Sequence, residues 1–91
     1  MTNNLKTCVQ NYLMAGYLYN ATDIPSFLTD PEWDELCKFI DEHWDEIEHY
    51  QKHLIQWETL STATAMYLTE DYLPSIVKHA ARAKANAPVR E

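Results

Sequence analysis

A chain of 91 residues that carries a single glycine, Gly16, has little access to backbone conformations outside the ordinary right-handed and extended regions. Tight two-residue hairpins lean on glycine at positive φ, so a hairpin-rich β fold is disfavoured. Phosphate loops of the P-loop and dinucleotide types need several residues without a Cβ, and one glycine cannot supply them. Helices joined by turns of Pro, Asn, Asp and Thr remain open to such a chain. The expected fold is all-α: a small bundle of three to four helices in one domain, built on an N-terminal αα-hairpin.

Hydrophobic spacing places the helices. Leu5, Cys8, Val9, Tyr12, Leu13 and Tyr19, with Gly16 on the same stripe, predict an amphipathic helix over Asn3 to Asn20. Asp23 and Pro25 break it. Thr29-Asp30-Pro31-Glu32 then reads as a capping box with proline in the first turn. Trp33, Leu36, Cys37, Ile40, Trp44 and Ile47 form the next inward stripe, and the opposite face is Asp34, Glu35, Lys38, Asp41, Glu42, Asp45, Glu46 and Glu48. The pattern loses definition after His49, and the Thr-rich stretch 59–68 has low helix propensity, so the path of 49–68 is open. A last helix is expected from Asp71 to about Ala85, with Leu73, Ile76, Val77 and Ala80 facing inward. The single domain 1–91 divides on this reading into a hairpin, 1–48, a C-terminal helical extension, 49–87, and a tail, 88–91, that begins at Pro88.

Charge narrows the function. Fourteen acids against seven bases give a net charge of −7, the wrong sign for a module that neutralises phosphates, so direct nucleic-acid binding is not expected. Residues 23–58 hold eleven acids and two bases, whereas 72–90 hold four bases and no acid. The plain reading is a solvated acidic face with cations near a helix C-terminus; the sharper one gives each pole a partner. No run of 18 apolar residues predicts a membrane span, and the first residues lack a signal-peptide layout, so a cytoplasmic setting is expected. Cys8 and Cys37 fall on apolar stripes, where thiols pack as small hydrophobes. His49 and His53 have a usable i, i+4 metal spacing with Glu46 one turn before, but Tyr50 stands where a zinc protease has glutamate, and no metal is expected. No serine or cysteine has a motif around it, so the chain is not read as an enzyme. Trp57, Tyr67 and Tyr72 are core aromatics of the second half or anchors for a partner.

The densest chemistry lies where the first helix ends and the second begins. An αα-hairpin brings these two ends together, so that Tyr17, Tyr19, Asp30, Trp33 and Asp34 can converge. Asp30 and Asp34 share a helix face. Aromatic faces with two carboxylates suit a flat cationic ring, by cation–π attraction and ion pairing. The competing reading leaves Tyr19 and Trp33 in the core and Asp30 as part of a helix cap.

Across residues 5–48 the order of these positions resembles the small N-terminal Ia domain of bacterial NAD⁺-dependent DNA ligases. The family signature is Tyr-(Tyr/His)-x-x-Asp-x-Pro-x-(Ile/Val)-x-Asp-x-Glu-Tyr-Asp-x-Leu. This chain reads Tyr19-Asn20-Ala-Thr-Asp23-Ile-Pro25-Ser-Phe-Leu-Thr-Asp30-Pro-Glu32-Trp33-Asp34-Glu-Leu36, with one extra residue between Pro25 and Asp30. The resemblance implies that Tyr19 stacks on a nicotinamide ring and that Asp30 and Asp34 reach the ribose or ring cation of nicotinamide mononucleotide or NAD. Trp33 stands where the family has a second contacting tyrosine, and Asn20 where it has His or Tyr. The adenylation motif Lys-x-Asp-Gly is absent, since the one glycine is Gly16, so this chain is not a ligase on its own. The resemblance further implies a freestanding relative of a kind found in phage and mobile-element genomes.

Two functions follow as expectations. One is a non-catalytic accessory or binding module that holds a nicotinamide nucleotide through Tyr19, Asn20, Asp30, Trp33 and Asp34. The other is an acidic protein-interaction module, in which Asp41, Glu42, Asp45 and Glu46 mimic a phosphate backbone and inhibit or modulate a host DNA-binding or defence enzyme.

Overall fold

The computed structural model describes residues 4–63 and 65–86, so the tail 88–91 lies outside the described residues. The described residues hold three α-helices, α1 (Cys8–Ala21), α2 (Asp30–Glu42) and α3 (Ser75–Asn86), and no strand. Short 3-10 segments at Trp44–Glu46, Lys52–Leu54 and Trp57–Thr62 lead from α2 toward α3. The all-α bundle expected from the sequence is the fold observed.

Helix α1 is the axis of the packing. It begins later than the apolar stripe suggested, at Cys8, because Asn4 forms a turn ahead of it: the Asn4 side-chain oxygen accepts from the Lys6 and Thr7 backbone N–H groups, each at 3.0 Å. Cys8, Val9, Asn11, Tyr12, Leu13, Ala15, Gly16, Tyr17 and Leu18 are all buried. A helix buried nearly all round is a central helix rather than an amphipathic surface one, which corrects the one-stripe reading. Leu5 and Tyr19, assigned to that stripe, are exposed. Thr22 ends α1 in extended geometry, its hydroxyl donating to the Leu18 carbonyl at 2.8 Å.

The capping box of α2 is formed. The Glu32 N–H donates to Thr29 Oγ1 at 3.3 Å, and the Thr29 N–H donates to Glu32 Oε1 at 2.9 Å. The Thr29 backbone N–H, helped by its hydroxyl, holds the Glu32 carboxyl below the ordinary carboxylate range. Leu36, Cys37 and Ile40 face the core as expected. The helix stops at Glu42, earlier than the stripe through Ile47 implied. His43 caps it with φ −111° and ψ 19°: its N–H donates to the Phe39 carbonyl at 3.0 Å, its Nδ1 lies 2.9 Å from the same oxygen, and its ring stacks on Phe39. The chain then tightens into a 3-10 turn that still delivers Ile47 to the core.

Residues 49–63 and 65–73 pack back against α1 and α2. Ile55, Leu60, Ala65, Leu68 and Leu73 join the same core as the α1 and α2 side chains, so the second half completes one core with the first. Gly16 is required here. A Cβ at this position would collide with Leu68 Cδ1 and come within 3.2 Å of the Trp33 ring and 3.3 Å of the Ala65 methyl.

Helix α3 closes the remaining side of α1, with Leu73 and Val77 inward as expected but Ala81 in place of Ile76 and Ala80. Leu73, Val77 and Ala81 are buried, whereas Ile76 is 64% exposed and Ala80 is exposed. The neighbouring row explains the rotation. Lys78 donates to the Glu70 carbonyl at 2.9 Å, and Arg82 donates to the Tyr17 hydroxyl at 2.8 Å. Those two contacts turn the 78/82 row toward α1 and swing 76/80 to solvent. The radius of gyration, 12.3 Å, matches the roughly 12 Å of a compact chain of this length.

Candidate functional site

The end of α1 and the start of α2 meet at a hollow of about 290 Å³ lined by Tyr19, Leu28, Asp30, Trp33, Asp34 and Ala63. Four of the five residues proposed from the sequence as nucleotide contacts therefore surround one space. An adjoining hollow of about 210 Å³ is lined by Tyr19, Asn20, Trp33, Ala63, Ala65 and Met66. The geometry follows from local structure. Tyr19 sits in the last turn of α1, outside the buried arc, and its ring is 77% exposed. Asp30 opens α2, and Trp33 and Asp34 follow within its first turns.

Trp33 forms the rigid wall. Its ring stacks on Tyr12 with centroids 5.0 Å apart and planes at 18°, and its indole N–H donates to the Ala63 carbonyl at 2.8 Å. Tyr12 is in turn 2.6 Å, hydroxyl to hydroxyl, from Tyr67. Burial, reinforced by the bond to Tyr67, pushes the Tyr12 phenol well above its ordinary range. Trp33 thus belongs partly to the core, as the competing reading held, while its exposed part lines the hollow.

Asn20 stands beside the hollow with its amide engaged. Its Nδ2 donates to the Met66 carbonyl at 2.9 Å and lies 3.3 Å from the Leu68 carbonyl. It tethers the 66–68 segment that backs the site. Tyr17 does not join the corner, contrary to the convergence expected of it. It is fully buried, two residues from Tyr19 and so on another side of α1, with its hydroxyl donating to Glu70 at 2.5 Å and accepting from Arg82.

Ala63 is the residue that sequence reasoning missed. It ends the Trp57–Thr62 segment in the left-handed region, at φ 54° and ψ 34°. That conformation aims its carbonyl at the Trp33 indole. An alanine at positive φ leaves no mark in the sequence, since Gly or Asn is the usual signal there.

The other sequence candidates divide. Asp41 is half-buried, Glu42, Asp45 and Glu46 are exposed, and the break at His43 divides them between α2 and a 3-10 turn, so they do not form one helical face. None of the four has an ion-pair partner among the described residues. His49 and His53 lie in irregular and 3-10 backbone, which removes the helical i, i+4 arrangement. Their Nδ1 atoms face the Gln51 N–H and the Tyr50 carbonyl respectively. Among the described residues no three His, Cys, Asp or Glu side chains come together as a metal site. Trp57 and Tyr72 are exposed in part. Tyr72 meets the Tyr67 ring edge-on, and its hydroxyl donates to the Leu54 carbonyl at 2.7 Å. No described helix is long and apolar enough to cross a membrane.

No protein-family model, curated protein or solved structure matches the chain.

Proposed function

We propose that this chain is a non-catalytic binding module whose Tyr19–Asp30–Trp33–Asp34 corner holds the nicotinamide ring and ribose of a nicotinamide nucleotide, nicotinamide mononucleotide or NAD. The observation that supports it is the shared hollow: an exposed phenol from α1 faces two carboxylates, without an ion pair among the described residues, and a fixed indole from α2. An aromatic face attracts a pyridinium by cation–π interaction, and carboxylates pair with its charge or accept from the ribose hydroxyls. Asn20 serves as a positioning residue that holds the segment behind the corner. Such a module would assist a separate nucleotidyltransferase or sequester the nucleotide, in the cytoplasm of a host where the gene is phage or mobile-element borne. Calorimetric titration with nicotinamide mononucleotide tests the reading. Heat that saturates in wild type and disappears in Tyr19→Ala supports it, and no heat at millimolar concentration from either the mononucleotide or its riboside refutes it.

A second reading is favoured by the exposed carboxylates Glu42, Asp45 and Glu46, which with Asp41 form no ion pair among the described residues. On it the acidic face docks on a basic protein, a host DNA-binding or defence enzyme, by mimicking a phosphate backbone. Binding would then fall steeply with salt and vanish when the four are neutralised together. A pull-down from host lysate at low salt that recovers no basic protein counts against it.

A further inference from the structure

The polar groups around the Tyr19 hollow are lopsided, and the imbalance bears on which form of a nicotinamide ligand fits. On the acceptor side stand Asp30 and Asp34, both exposed and without an ion pair among the described residues. Among the described residues no Lys, Arg or His lines the hollow. The N–H donors nearby are already used: the Trp33 indole donates to the Ala63 carbonyl, and the Asn20 amide to the Met66 carbonyl.

At the start of α2, ordinarily a place for an anion, most of the backbone donors are taken by its own residues. The Thr29 N–H goes to Glu32 Oε1, the Glu32 N–H to Thr29 Oγ1 and the Trp33 N–H to the Thr29 carbonyl. Pro31 has no N–H to give. The nearest cation on α2, Lys38, lines a neighbouring hollow together with Asp34 and Asp41, so two carboxylates flank it.

We infer that the corner selects a cationic nucleoside over the same nucleoside carrying a 5′-phosphate. The ring cation and the ribose hydroxyls meet the carboxylates, whereas a phosphate finds no cationic side chain among the described residues lining the hollow and faces two negative groups. The inference rests on the nicotinamide reading of the same corner and fixes the form of its ligand.

The test titrates the full chain with nicotinamide riboside, nicotinamide mononucleotide and uridine at low ionic strength. The riboside is expected to bind about tenfold more tightly than the mononucleotide. That ratio shrinks as salt screens the repulsion, and uridine gives no heat. Asp34→Asn, and separately Asp30→Asn with Asp34→Asn, narrow the ratio. Mononucleotide binding as tight as or tighter than riboside overturns the selectivity and leaves the nicotinamide reading standing. Heat from neither cation overturns both. Uridine binding as well as the riboside removes the role of the ring charge and overturns the inference.

Discussion

The indole N–H of Trp33 donates to the carbonyl of Ala63, 30 residues on, across 2.8 Å. One partner is set by the capping box that starts α2, the other by a left-handed residue that ends a 3-10 turn. Trp33→Phe keeps the stack on Tyr12 and removes the donor. Chemical denaturation should show a loss of about 1 kcal/mol, the net worth of one such bond plus part of the stranded carbonyl.

Ala63 carries the cost of positive φ. Ala63→Gly removes the Cβ penalty, though it adds freedom to the unfolded chain. The expected net gain is about 0.5 kcal/mol, read as a higher denaturation midpoint with unchanged slope. Ala63→Val, β-branched at φ 54°, should lose stability.

Gly16→Ala opposes two effects. Helix propensity favours alanine by about 1 kcal/mol, while the collision with Leu68 costs about 1–3 kcal/mol. The variant should be destabilised overall. Adding Leu68→Ala should cost less in the Gly16→Ala background than in wild type, a coupling that a double-mutant cycle reads directly.

The register of α3 is open to the same kind of measurement. Val77→Ala should cost about 1–2 kcal/mol, and Ile76→Ala less than about 0.5 kcal/mol. Equal losses at the two positions would restore the face expected from spacing alone.

Stability should fall at both ends of the pH scale through the Tyr17–Glu70–Arg82 network. The bond from Tyr17, together with Lys78 and Arg82, lowers the Glu70 carboxyl below its ordinary 4.5. Its contribution is therefore present above that value and is lost as pH falls through the lower folded one. Burial and the bond to Glu70 raise the Tyr17 phenol above its ordinary 10.0. That contribution is present below pH 10 and is lost as pH rises through the higher folded value. Thermal melts across pH should show both limbs, and Glu70→Gln should flatten the acid one.

The elements written in short-range chemistry were legible. The Thr29–Glu32 box, the burial of Leu36, Cys37 and Ile40, and the meeting of Tyr19 with Asp30 and Asp34 all depend on residues close in sequence or on one hairpin. What was not legible depends on distant partners. Helix α3 is turned by Glu70 and Tyr17, which no local pattern around Ile76 reveals. The end of α2 falls at His43, whose ring lies back against Phe39, although the hydrophobic stripe runs on to Ile47. Ala63 looks like any other alanine until the indole that catches its carbonyl is in place.

The two cysteines are buried among apolar side chains. Burial, with the Asp34 charge close by, pushes the Cys37 thiol up to about 12. Neither thiol should react with an aromatic disulfide reagent at pH 8 until the chain unfolds, so labelling rate becomes a direct clock of global opening.

The placement of α1 carries a consequence for synthesis. This helix is synthesised ahead of the elements that cover it, and the arginine that holds its Tyr17 hydroxyl sits at position 82, 65 residues later. Until that distant stretch has emerged, the side of α1 that α3 closes stays uncovered. A nascent chain of this kind has to be shielded or kept loosely coiled during translation, and its final shape is reached in one late, concerted step.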